Sequence, residues 1–318
     1  MSRSVSRKAF RARVAFLLLS FALISSACAG RDDGAAVMVP GSYTGVDGVV
    51  SDTSDASRIV TLSGDLTEFV FELGAGDSVV ATDLTTVHPE AAVSLPKTGI
   101  GRFLSAEAVL KHDPTLVIGD TQTSPQSAID QIRAAGVPFI ILEVSTTFDI
   151  MYSKIDDLGL ILGAEEAAAS LASRLESDIE AAGRGGSAAA DSPSVAYVYT
   201  RGPDVMLLFG NGMVTHPVIL AAGAMDAGSV AGISGSITVT PEALIAAEPD
   251  VIIVPSEGLE ALGGVEGLLA IPGISQTPAG INGWILAYPE GDFLTIGPRI
   301  ALSVAALSTD LADLGLTP

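Results

Sequence analysis

Cysteine, basic residues and catalytic signatures are what this chain is short of. Its 318 residues hold one cysteine, Cys28, which excludes an internal disulfide. No G-x-S-x-G elbow and no H-E-x-x-H motif occurs, so two common hydrolytic sites are missing and the chain does not read as an enzyme. Aromatics make up 5% of the residues and histidine occurs three times. Lysine and arginine number 16 against 37 acids, and five of those bases (Arg3, Arg7, Lys8, Arg11, Arg13) fall in the first 27 residues, which contain no acid. Beyond that stretch 11 bases face all 37 acids, a formal net charge of −26. Such a surface repels phosphate backbones and argues against nucleic acid as a partner. The apolar run from Ala15 to Ile24 is too short to cross a bilayer as an ordinary helix.

The basic start, the apolar run and the small-residue junction Ser25-Ser26-Ala27 together predict a signal peptide over residues 1–27. Cys28 follows directly, a position that points to lipid attachment and to membrane association through an N-terminal lipid. The junction resembles a bacterial lipobox, with Ser25 where leucine is usual. Ser6-Arg7-Lys8-Ala9-Phe10 is also similar to a twin-arginine signal in which lysine replaces the second arginine, so the export route stays open. Residues 28–57 are rich in Gly, Ser and Asp without a sustained period, which predicts a lipidated tether and a folded body that begins near Arg58. The expected location is the extracytoplasmic face of the cell membrane.

Inside that body one pattern is written twice. Ser105 to Ile118 and Thr240 to Ile253 each place a hydroxyl residue, a glutamate (Glu107, Glu242), an apolar run, an acid-Pro break and an apolar strand. Ser105 and Thr240 are N-cap candidates, because their oxygens can accept from the first free N–H groups of a helix. Asp113-Pro114 and Glu248-Pro249 stop the helices, since the residue before proline avoids the helical region. Strands apolar on both faces suit parallel sheets covered by helices. The expected fold class is α/β: two similar lobes with central parallel sheets, an N-terminal lobe over 58–160 and a C-terminal lobe over 187–318. The sequence from about Phe148 to Ala182 is expected to be helical with a break near Gly163, and an alanine-rich helix over 161–186 is expected to connect the lobes. Further strands are expected at Ile59 to Leu62, Val79 to Thr82, Phe139 to Leu142, Val195 to Tyr199, Val205 to Phe209 and Trp284 to Ala287. Gly258 to Gly280 is glycine-dense.

An exported chain of two α/β lobes with a repeated helix-strand unit and a long connecting helix resembles the substrate-binding lipoproteins of ABC importers for haem, cobalamin and iron-siderophores. Val198-Tyr199-Thr200-Arg201-Gly202, Leu95 to Glu107 and the glycine-dense stretch are similar to the haem branch. In such an architecture a ligand lies between the lobes, at the carboxyl ends of strands. The resemblance implies that Tyr199 ligates haem iron, with Arg201 as a positive hydrogen-bond donor beside it. His88 falls where relatives with a Tyr-Pro pair place a ligand, which implies a second ligand. Ile100-Gly101-Arg102 stands where other relatives have Gly-Tyr-x-Arg, so the ligating side chain is lost there while Arg102 remains for a propionate. The number of axial ligands is left open. Glu107 and Glu242 have a local explanation, since carboxylates in a first helical turn meet the helix dipole favourably. By resemblance they are also permease-docking residues, one per lobe, facing the two halves of an ABC permease dimer. An iron-siderophore or cobalamin receptor of the same fold is the alternative, and an extracytoplasmic enzyme a more distant one.

Overall fold

The structure, a computed structural model, describes residues 41–183 and 191–316. The signal segment, Cys28 and the first part of the expected tether lie outside the described residues. From residue 41 the tether expectation needs correction. Ser42–Thr44 (β1) and Val50–Asp52 (β2) form an antiparallel hairpin. The Val46 N–H donates to the Ile141 carbonyl at 2.9 Å, and Arg133 pairs with Asp47 at 2.7 Å. Composition misleads here because the hairpin is held by backbone bonds and buries few side chains, Ser51 among them.

The N-terminal sheet is wholly parallel, with strands Ile59–Thr61 (β3), Val79–Ala81 (β4), Leu116–Asp120 (β5) and Phe139–Leu142 (β6) in the order β4-β3-β5-β6. Its apolar strands are buried on both faces, as parallel packing requires. The C-terminal sheet contains Ser194–Thr200 (β7), Met206–Phe209 (β8), Met225–Asp226 (β9), Ser236–Thr238 (β10), Val251–Pro255 (β11) and Ile285–Tyr288 (β12). Here β9, β7, β11 and β12 run parallel, whereas β8 and β10 extend the sheet antiparallel in the order β10-β8-β7-β11-β12. The second sheet is therefore parallel at its centre and mixed at one edge.

Helices Phe148–Leu162 and Glu165–Ala182 lie between the sheets in the chain. Gly163, at φ 64°, ends the first in the left-handed conformation that glycine adopts without a Cβ penalty. One apolar cluster runs from the first sheet (Ile59, Ile118, Ile140) through these helices (Leu158, Leu171, Leu175). It continues to the second sheet (Val195, Ile253) and to the C-terminal helix Ile300–Asp313 (Val304, Leu307). Two further clusters fill the outer side of each sheet.

The repeated unit has the same local geometry in both copies. Ser105 Oγ accepts from Ala108 N–H at 3.3 Å ahead of helix Ala106–Leu110, and Thr240 Oγ1 accepts from Ala243 N–H at 3.2 Å ahead of helix Pro241–Ala247. Asp113 (φ 48°) and Glu248 (φ 45°), the residues before the two prolines, are the only non-glycine residues with positive φ among the described residues. The break before proline is thus a left-handed turn rather than an extended residue, and it aims β5 and β11 back into their sheets.

Within the N-terminal lobe, Lys154 is buried and its Nζ lies 2.8 Å from Asp65 Oδ2. Burial pushes Asp65 up, but the Lys154 charge together with hydrogen bonds from Lys154 and Ser63 outweighs it and holds the carboxyl below its ordinary value. A depressed carboxyl stabilises the fold fully above its unfolded pKa, and that stabilisation is lost as pH falls through the depressed folded value. Lys154→Ala leaves Asp65 buried without its cation. The expected loss is about 3–5 kcal/mol by denaturant unfolding near neutral pH, with the difference from wild type shrinking below the carboxylate range.

Candidate functional site

The strands of both lobes end at a common cleft of about 980 Å³. On the N-terminal side its wall is built from the residues that follow β3 (Ser63 to Asp65), β4 (Asp83, Thr85, His88), β5 (Gln122, Thr123) and β6 (Val144, Ser145), with Arg102 from a neighbouring turn. On the C-terminal side it is built from the end of β7 (Tyr199, Arg201), from Phe209 on β8, and from Glu257 and Glu290 after β11 and β12. This is the crevice at strand carboxyl ends where open α/β sheets bind ligands. Glu68 and Arg299 cross it as a two-bond ion pair between lobes, at 2.9 and 3.2 Å.

Tyr199 is half-buried and its ring stacks on Phe209, with centroids 5.9 Å apart. The Arg201 guanidinium lies over the same ring, 5.7 Å from its centroid. Arg201 was expected to serve the phenol, and its charge does favour the phenolate. Its shortest bond, however, goes to Glu290 Oε1 at 2.7 Å, and the Tyr199 hydroxyl donates to the same oxygen at 3.5 Å. Burial, followed by the Glu290 charge, pushes the Tyr199 phenol above its usual value despite Arg201. Glu290 went unsingled in the sequence. The signal that could have found it is its place just past an apolar strand, at Tyr288-Pro289-Glu290.

Acids dominate the lining: Asp65, Glu68, Asp83, Asp120, Glu257, Glu290 and Asp292 against Arg102, Arg201 and Arg299. Burial pushes the carboxyls of Asp83 and Asp120 up, and the charge of Asp65 adds to this in both. The buried Ser145 hydroxyl has no protein partner and faces the same wall. His88 is exposed and precedes Pro89 through a cis peptide bond. No cluster of three or more His, Cys, Asp or Glu side chains able to hold a bare metal ion occurs among the described residues, and no helix among them is long and apolar enough to cross a membrane. The cleft therefore brings together His88, Arg102, Tyr199 and Arg201. Glu107 and Glu242 lie outside it, exposed in the first turns of the two repeated helices.

A model of the periplasmic binding protein family matches residues 59–290. The chain belongs to that family. Among solved periplasmic binding proteins it is similar to the periplasmic heme-binding protein RhuT from Roseiflexus sp. RS-1 in apo form. The two are 40% identical over 81% of this chain and 99% of RhuT, with a TM-score of 0.75. It is also similar to the heme-binding protein HmuT, 32% identical over 88% of this chain and 92% of HmuT, with a TM-score of 0.77. HmuT has also been solved as alanine variants of a histidine, of a tyrosine, and of an arginine two positions after that tyrosine. Among curated proteins, the uncharacterized ABC transporter substrate-binding lipoprotein YvrC of Bacillus subtilis (strain 168) is 26% identical over 218 residues, 65% of this chain and 66% of YvrC. A stretch of 103 residues is 31% identical to the vitamin B12-binding protein of Yersinia pestis (strain Pestoides F), 36% of that protein's length.

The glycine-dense stretch of this periplasmic binding protein folds as the short helices Ser256–Ala261, Val265–Leu269 and Pro278–Asn282 with a 3-10 turn at Ile274–Gln276. Gly258 lies directly behind the site: a Cβ there would fall 2.1 Å from the Thr200 carbonyl oxygen, between Tyr199 and Arg201. Gly258→Ala is expected to cost about 1–3 kcal/mol, the usual scale of overpacking, and to disturb the Tyr199 ring environment, read by thermal unfolding together with near-ultraviolet circular dichroism.

Proposed function

We propose that this protein is an extracytoplasmic receptor that captures haem in the interlobe cleft and delivers it to an ABC permease. The observation that carries the reading is Tyr199 at the carboxyl end of β7, with Arg201 over its ring, opening on a cleft whose other wall presents His88 and Arg102. At about 980 Å³ the cleft is at the upper end of the usual range for small-molecule sites, as a porphyrin needs. Likeness to RhuT and HmuT, both heme-binding by name, supports it, as do the HmuT alanine variants at a tyrosine and at an arginine two positions on, the spacing of Tyr199 and Arg201. Haem is cargo here, not a resident cofactor.

In this reading the Tyr199 phenolate is the axial ligand, for which tyrosine has precedent, and Arg201 offsets its charge. His88 supplies a second ligand from the other lobe, and Arg102 pairs with a propionate. Lipidation at Cys28 holds the receptor at the membrane. The second reading, a cobalamin receptor, draws on the shorter likeness to the vitamin B12-binding protein, but assigns no metal role to Tyr199. Titration with haemin separates the two. Wild type is expected to give a shifted Soret band, and Tyr199→Phe to weaken binding by more than about tenfold, since even outer-shell partners of a metal ligand act on the 10–100-fold scale. His88→Ala is expected to alter the ligated spectrum. Absence of a Soret shift, or a Tyr199→Phe variant identical to wild type, rejects the haem reading.

Docking is assigned to Glu107 and Glu242, exposed at matching places in the two lobes. Changing both to lysine is expected to abolish transport by the cognate permease in reconstituted vesicles while haemin affinity in solution stays at wild type. Loss of folding in both single variants would instead leave them as helix-end residues only.

A further inference from the structure

We propose that Lys97 is a positioning residue for the cleft, pegging the loop that carries His88 so that the imidazole is in place before haem arrives. The proposal rests on the reading of His88 as the second iron ligand. Its geometric basis is one ammonium with three acceptors. Lys97 Nζ donates to Thr82 Oγ1 at 2.8 Å, to the Ala92 carbonyl at 3.3 Å and to the Thr86 carbonyl at 3.4 Å. An ammonium has three N–H donors and no acceptor, so each of its protons meets one partner. Those partners are spaced along the loop: Thr82 follows β4 directly, Thr86 stands two residues before His88, and Ala92 stands four residues after it.

The segment around His88 buries too little to hold itself. Thr86 and Ala92 are buried, whereas none of the residues between them, Val87 to Ala91, is, and Val87 is 60% exposed. A stretch with so few buried contacts belongs to the parts of a fold that open most easily, so its place is set from its two ends. The Ala92 and Val93 N–H groups both donate to the Pro89 carbonyl, at 2.9 and 3.3 Å, which shapes the segment without attaching it to the lobe. Thr86 has a second anchor in Thr67 Oγ1 at 3.0 Å, so the far end, Ala92, depends on Lys97 the more. Lys97 is itself fixed from behind, because it pairs with Thr82 in an isolated parallel bridge. On either side of that bridge the Thr82 N–H donates to the Pro96 carbonyl at 3.0 Å and the Thr98 N–H to the Thr82 carbonyl at 2.9 Å. The peg thus ties both ends of the His88 segment to the end of the parallel sheet. A ligating group held in advance leaves less ordering to be done on binding.

Lys97→Met keeps the apolar stem and removes all three donors. In the haem-free protein, amide hydrogen exchange is expected to rise over residues 84–93 and to stay at wild type in β3, β5 and β6. Faster exchange throughout that sheet would make Lys97 a residue of the fold alone and overturn the proposal. In haemin titrations Lys97→Met is expected to weaken binding by about 10–100-fold, the scale of outer-shell partners of a metal ligand, and to move the spectrum of the complex towards that of His88→Ala. Added to His88→Ala, Lys97→Met is expected to cost nothing further, since the two residues act as one unit. A second loss of the same size in that background, as the removal of a positive charge would give by itself, overturns the proposal. So does a Lys97→Met complex with the wild-type spectrum. Lys97→Gln, with two donors on a shorter stem, is measured beside it and is expected to lie between Lys97→Met and wild type. If His88→Ala matches wild type in spectrum and affinity while the loop still loosens in Lys97→Met, the ligand reading fails and the positioning role with it.

Discussion

The structure depends on a single apolar layer that both lobes share. Helices Phe148–Leu162 and Glu165–Ala182 and the C-terminal helix Ile300–Asp313 pack into one continuous cluster with the inner faces of both sheets. Each Leu, Ile or Val buried in such a layer stabilises by roughly 1.5–3 kcal/mol relative to exposure, and prising the lobes apart would expose many at once. The layer therefore fixes the two sheets with their carboxyl ends facing one cleft, and every functional placement follows from that.

Charge inside the cleft is organised around scarcity. Seven carboxylates and three arginines line it, so positive charge is scarce there. Arg299 is taken by Glu68 across the lobes and Arg201 by Glu290, while Lys154 neutralises Asp65 in the wall behind. Protein sites usually gain specificity from a few polar groups placed in an otherwise apolar pocket. Here positive charge is the scarce element, and two of the three arginines already pair with carboxylates.

Much of the fold was legible because apolar runs bounded by glycine and proline have a direct physical meaning. Phe139–Leu142 is the expected strand residue for residue, and the break at Gly163 and the paired caps at Ser105 and Thr240 follow from local chemistry. The strands that escaped notice, β1, β2, β9 and β10, are two or three residues long, and β10 is exposed throughout. Hydrogen bonds to neighbours define them, and composition does not record those. Tyr199 and Arg201 could be picked out together because they sit two residues apart at a strand end. Glu290, 89 residues beyond Arg201, is one glutamate in an acid-rich chain, and its partnership exists only after β7 and β12 are brought into one sheet on either side of β11.

The shared core has one more consequence. Many two-lobed receptors report occupancy by clamping shut, a motion that a membrane partner can sense over a wide surface. Lobes welded through three common helices have little such motion to offer. The binding surface is then largely set before anything enters it, since one core holds both walls of the cleft in place.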